Sequence, residues 1–273
     1  MLWKQRFNIG LREFTMLLIA LLFIIPTWMV LANSFKTVAE ANQYGLSFPA
    51  NFQWDNYRRV FSEGHALRGL LNGIFLSTTS SVIVIFLASM GGFFISRSRG
   101  KLAKFAYFYF ISGIILPGAI IPSYIILYIL NLTNTYYGLI LVFVTGSLPI
   151  SVFLFTGSIK AISREMDEAA IVDGCGKLRL FLQVVFPLLK PVTTTLFILT
   201  FLGVWNDVST QLFFAKSTQW TMPMTVYNFF GKYSKEYNVV FADIIISLVP
   251  ILIVYVFAQK YIISGMTAGA VKG

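Results

Sequence analysis

SREMDEAAIVDGCGKLRLFLQVVFP, residues 163–187, holds four of the chain's eleven acidic residues and lies between long apolar runs. A polar island of this size has no place in hydrocarbon, where charged and unpaired polar groups are expensive. It must sit at a membrane surface, and the rest of the chain is arranged around that fact. Of 273 residues, 57% are hydrophobic and only 12% charged, and the mean hydropathy of +0.75 is far above that of a soluble domain. The expected fold class is therefore all-α and integral to a membrane.

A net charge of +10 points in other settings to nucleic acid. Here the Lys and Arg residues fall in short segments between apolar runs, where positive charge sets orientation in the bilayer, so nucleic acid is excluded as a partner. The single Cys175 rules out an internal disulfide framework, and the lone His65 leaves no His/Cys cluster at metal-ligand spacing. No metal site is expected.

About 20 apolar residues cross the hydrocarbon. Six segments meet that requirement: 14–32, 70–95, 103–130, 139–159, 188–214 and 241–263. The first resembles a signal peptide in its basic flank, Lys4, Arg6 and Arg12. However, it is longer than a typical signal core, contains Pro26 and Trp28, and has no small-residue cleavage site close behind it. It is taken as a retained helix. With the N-terminus inside, internal segments hold fourteen Lys and Arg and external ones seven. That bias places both termini, the 160–187 loop and the 264–273 tail in the cytoplasm.

The external segment 33–69 mixes charge, Gly, Pro and aromatics. It is either a docking surface or a connecting loop, and structureless loops of this length are usually functional. Helix two carries Ser77, Thr78, Thr79, Ser80 and Ser81, then Gly91 and Gly92; small residues of this kind favour close helix packing over a substrate contact. Pro117, Gly118 and Pro122 predict a kink or break in helix three. Freed carbonyls are tolerated at membrane depth where they line a cavity, which makes Pro117 and the nearby Tyr124 candidates for a pathway wall.

Within the polar island, Ser163 is suited to cap a helix whose first turns hold Glu165, Asp167 and Glu168, and carboxylates favour that end. Gly174 falls where positive φ is needed, with Gly176 just after it. A second amphipathic helix over 177–185 places Leu178, Phe181, Leu182 and Val185 on one face. Pro187 then introduces helix five.

These residues resemble the EAA loop of ABC importer permeases. Glu168-Ala169-Ala170, three residues, Gly174, nine residues, then apolar-x-apolar before Pro187 match its spacing, with Val and Phe where Ile and Leu are commoner. Asp173 before the glycine is usual in the sugar-importing branch. Further matches cover nearly the whole chain: Phe48-Pro49, Asn56-Tyr57, Asn72, Leu116-Pro117, Asn134-Thr135, Trp205-Asn206-Asp207, and the ending Gly265-Met266-Thr267-Ala268-Gly269-Ala270-Val271-Lys272-Gly273. The chain looks like the maltose-type permease subunit of carbohydrate-uptake systems.

The resemblance implies a type I importer fold in a bacterial cytoplasmic membrane and a mechanism shared among chains. The partners would be a second, homologous permease, two ATPase subunits that hold ATP and Mg2+, and an extracytoplasmic binding protein. Glu168 to Gly174 would be the coupling helix docked on the ATPase. The tail, with Gly265, Thr267, Gly269 and Lys272, would reach between the ATPase subunits. The segment 216–237 would be an external loop touching the binding protein. The chain has no G-x-x-x-x-G-K-[ST] loop, so it is not an enzyme and binds no cofactor of its own.

For Trp205, Asn206 and Asp207 two readings stand. They are sugar contacts, through ring stacking and directional polar bonds, or residues at the outer interface, where Trp is common and Asp is hydrated. Among rival functions, an importer of a non-sugar solute keeps the same architecture. A secondary transporter would carry ionisable residues within several helices and often internal repeats, and neither is present.

Overall fold

The computed structural model describes the backbone of residues 2–116, 118–230 and 236–270, and helix dominates it with no strand among them. In chain order the helices are α1 (Leu2–Ser34), α2 (Val38–Ala41), α3 (Asp55–Ser62), α4 (Ala66–Arg97), α5 (Lys101–Ile115), α6 (Ile120–Ile129), α7 (Tyr136–Lys160) and α8 (Arg164–Val172). They continue with α9 (Lys177–Arg179), a π-helical stretch Leu180–Val185, α10 (Phe186–Leu188), α11 (Lys190–Trp205), α12 (Ser209–Phe214), α13 (Met222–Thr225) and α14 (Tyr237–Ala270).

Among the described residues, four helical segments are long and apolar enough to cross a membrane alone: Arg12–Ser34 of α1, α4, α7 and Tyr237–Phe257 of α14. Two bent pairs raise the number to as many as six: α5 with α6 at 117°, and Lys177–Leu188 with α11 at 78°. The single helix expected over 103–130 is thus two, separated at Leu116 to Ala119, where Leu116 is extended and Gly118 carries no side chain. The helix expected over 188–214 also divides. It stops at Trp205 because the Asp207 carboxylate accepts from Thr210 N (2.7 Å) and Thr210 Oγ1 (3.0 Å), offering the backbone an alternative to the helical ladder. The chain resumes as α12.

By internal contacts the chain forms two compact units, one of Met1–Leu67 with Met222–Val249 and the other of Arg68–Thr221 with Pro250–Gly273. In the first unit, α1 exposes Phe14, Leu22 and Phe23 among many apolar side chains, as a lipid-facing helix should. The segment 33–69 is built rather than slack. Phe35 packs on Phe52, Trp54 and Tyr57 with ring centroids 5.0–5.3 Å away. Lys36, only 3% exposed, donates to Asn33 Oδ1 and the Gly45 carbonyl. Arg59 bridges Glu63 (2.8 Å) and Glu236 (2.7 Å), and its hydrogen bond holds the Glu63 carboxyl below the usual carboxylate range.

Asn56 is the pin of this unit. Its Nδ2 donates to the carbonyls of Ser34 and Lys36, both at 2.9 Å, and its Oδ1 accepts from Asn238 Nδ2 at 2.7 Å. Asn56→Leu keeps the bulk but orphans these buried groups, each at about 1–3 kcal/mol. The expected result is a clear fall in thermal melting temperature in detergent; an unchanged melt would remove Asn56 from this role.

In the second unit an apolar cluster joins Ile85 and Ala88 of α4, Phe155 and Ile159 of α7, Ala170 of α8 and Leu196 of α11. Another joins Leu76, Leu127, Leu139, Phe143 and Phe214. Ser77, Ser80 and Ser81 are fully buried, which fits packing. At Gly92 a Cβ would lie 2.9 Å from Phe155 Cβ and 3.0 Å from the Thr156 nitrogen, so α4 and α7 touch where only glycine fits. Asn72 donates to the carbonyls of Thr218 and Trp220 and accepts from Tyr136 OH, fixing the Ser217–Gln219 turn to α4 and α7.

Candidate functional site

Two regions of the second unit carry the residues singled out in the sequence. The first is α8. Ser163 caps it, accepting from Glu165 N at 3.2 Å. At the other end Gly174 has φ +82°, Gly174 N donates to the Ile171 carbonyl (3.0 Å) and Cys175 N to the Ala170 carbonyl (2.9 Å). These paired bonds form a Schellman motif, whose left-handed position glycine fills without strain.

The helix is two-faced. Asp167 and Ala170 are buried, whereas Glu168, Ala169, Asp173 and Gly174 are exposed. So are the apolar Met166, Ile171 and Val172 of α8, the last 86% exposed, and Leu178 of α9. A short, rigidly capped helix with exposed apolar side chains on a polar segment is a surface made to be covered. Pro187 is exposed within α10, just before the bend into α11.

The inner side of α8 holds polar chemistry that sequence reasoning missed. Asp167 Oδ2 lies 2.5 Å from Arg97 Nε at the end of α4, and Arg97 Nη2 donates to Asp167 Oδ1 at 3.2 Å. The Nε contact is one of charge, since its N–H is not aimed at the carboxylate. The two residues are 70 apart in the chain, and no local pattern links them.

The second region is a cavity of about 500 Å3 lined by α6, α7, α11 and α12 and by the α5–α6 break, within the roughly 300–1,000 Å3 of small-ligand sites. Hydroxyls of Ser123, Thr145, Ser147 and Thr210 line it, with Asp207. Gly118, Gly146 and Gly203 also border it, and a Cβ at any of them meets open space.

The pathway candidates separate here. Asp207 faces the cavity, although its carboxylate already serves Thr210. Asn206 is exposed and donates to the Leu202 carbonyl. Trp205 is fully buried, with Phe201 stacked at 5.9 Å and Gly73 against its ring, so it has no free face for a sugar in this structure. Tyr124 is exposed and packs near Phe214. Gly265, Thr267 and Gly269 fall on the last turns of α14, while Pro117, Lys272 and residues 231–235 of the 216–237 segment lie outside the described residues.

Residues 85–267 match the family described as binding-protein-dependent transport system inner membrane component, and the chain belongs to that family. It is 34% identical over 260 residues to the multiple sugar-binding transport system permease protein MsmG of Streptococcus mutans, covering 92% of this chain and 93% of that one. It is 29% identical over 260 residues to the melibiose/raffinose/stachyose import permease protein MelC of Bacillus subtilis, covering 94% of each. In fold it is similar to a chain from the crystal structure of a bacterial ABC transporter involved in import of the acidic polysaccharide alginate. That match has a TM-score of 0.78 at 22% identity and covers 92% of this chain and 95% of the other.

Proposed function

We propose that this chain is one membrane-spanning subunit of a bacterial ATP-driven importer for an oligosaccharide. It works with a second permease, two ATPase subunits carrying ATP and Mg2+, and an extracytoplasmic binding protein. The observation that carries the reading is α8, a capped helix with an exposed apolar face and the Glu168-Ala169-Ala170 to Gly174 spacing of an EAA loop, in a chain whose relatives include sugar import permeases. With each bent pair taken as one span the chain crosses six times, and the distribution of Lys and Arg supports a cytoplasmic side for this loop and both termini.

In this mechanism the chain catalyses nothing. Met166, Glu168, Ala169 and Val172 meet the ATPase, and Gly174 sets the angle at which α8 turns into α9. Nucleotide-driven closure moves α8, and the helices packed on it follow. The tail at Gly265, Thr267, Gly269 and Lys272 adds a second contact with the ATPase pair. The segments 33–69 and 216–237 face the binding protein. Sugar passes along the cavity of Ser123, Thr145, Ser147 and Asp207, a surface of hydroxyls and one carboxylate that suits a polyol.

The test is purification of the complex in mild detergent. The chain is expected to bring down an ATPase whose turnover rises when sugar-loaded binding protein is added. Uptake by the chain alone, driven by an ion gradient, would overturn the proposal.

A further inference from the structure

The outer face of α8 is the surface offered to a partner, and its inner face shows where a push on that surface goes. Arg97 and Asp167 have side chains only 13% and 11% exposed. The Arg97 guanidinium also donates to the Ile162 carbonyl at 3.3 Å, in the link between α7 and α8. From the other side, Arg164 Nη2 donates to the Ser96 carbonyl at 3.4 Å, and Ser96 Oγ donates to the Thr156 carbonyl of α7 at 3.0 Å. The last turn of α4 is thereby tied to α7, to the α7–α8 link and to α8 itself.

This knot sits beside the point where α4 and α7 cannot slide, because Gly92 brings α4 against the Phe155–Thr156 backbone. The covalent exits from α8 are local turns. One runs through the Ser163 cap, and the other through a glycine turn at Gly174 and Gly176. Dispersion contacts, such as Ala170 in the apolar cluster, resist compression but are non-directional. A hydrogen-bonded ion pair at low exposure resists being pulled as well as pushed, because its geometry is directional and the loss of one partner strands a charge.

We propose that the Arg97–Asp167 pair is the strut through which movement of α8 reaches α4 and α7 together, so that Arg97 is a positioning residue for coupling. The inference rests on the reading of α8 as the ATPase-docking helix. It assigns Arg97 to transmission rather than to docking: Arg97 lies on α4, behind α8, and bonds to the buried face of that helix.

The experiment compares wild type, Arg97→Gln, and the exchange of Arg97→Asp with Asp167→Arg, each coexpressed with its ATPase and second permease and reconstituted in proteoliposomes. Three quantities are read: ATPase chains retained per permease, basal ATP hydrolysis, and sugar moved per ATP with binding protein present. Arg97→Gln is expected to retain the ATPase and the wild-type basal rate while sugar moved per ATP falls about tenfold, within the range seen for residues along coupling networks. The exchange is expected to recover most of that loss, which a residue needed only for packing would not do.

An unchanged sugar-to-ATP ratio in Arg97→Gln overturns the strut. So does loss of the ATPase in step with transport, not recovered by the exchange, because the pair would then only hold the docking surface in shape. Should Arg97→Gln fail to accumulate, Arg97→Lys keeps the charge without the forked geometry and is expected to lose about threefold in the same ratio; no loss there also overturns it. A wild-type chain that retains no ATPase defeats the parent reading, whereas a retained ATPase with an unchanged ratio in the variants defeats this inference alone.

Discussion

In a Gly174→Pro chain, sugar uptake falls by about a hundredfold while the protein still reaches the membrane. Gly174 holds φ +82°, whereas proline is fixed near −65° and has no N–H to give the Ile171 carbonyl. Both changes oppose the turn that ends α8. The penalty is about 3 kcal/mol or more, and at about 1.4 kcal/mol per factor of ten this leaves roughly one loop in a hundred with its docking geometry. Membrane insertion depends on the apolar helices and is unaffected. Asn, which tolerates the left-handed region, is expected to be milder than Ala, and Ala milder than Pro. Uptake in vesicles, measured beside the amount of copurified ATPase, checks the series. Normal uptake by the proline variant would mean that the elbow does not set the docking angle.

The second large effect is expected at Gly146 and Gly203. Both border the cavity, and at neither would a Cβ come within 4 Å of another part of the chain, its own helical neighbours aside. A leucine at either position extends into open space, and replacing a helical glycine gains about 1 kcal/mol of helix propensity. Each variant should therefore melt no lower than wild type and retain its ATPase, while uptake drops by about tenfold or more because the side chain occupies the space a polar ligand needs. A thermal melt and an uptake assay on the same preparation separate the two outcomes. Uptake at the wild-type rate in both variants would place the pathway elsewhere.

What could be read from the sequence, and what could not, follows the range of the interactions involved. The ends of α8 were legible because caps are local: Ser163 bonds two residues ahead, and the amides of Gly174 and Cys175 answer the carbonyls of Ile171 and Ala170 just behind them. The apolar spans were legible because bilayer thickness imposes a length. The stop after Trp205 was not: the chain turns polar at Asn206-Asp207 and Ser209-Thr210-Gln211, but apolar residues resume at Leu212, and only the Asp207–Thr210 bonds show that the helix ends there. Trp205 carried the right chemistry for a sugar, yet Gly73 and Phe201 enclose its ring. Arg97 looked like one more positive charge beside a helix end, and its pairing with Asp167 exists only once α4 and α8 have met.

The π-helical stretch Leu180–Val185 gives the loop a property of its own with respect to changes in length. A π-helical turn holds an extra residue within an otherwise α-helical path, so one deletion there closes it to an ordinary turn with both flanks still in phase. The same deletion in α11 would rotate every later side chain by about 100°. Between Gly174 and Pro187, this is the segment in which the chain can lose a residue without turning the helix that follows.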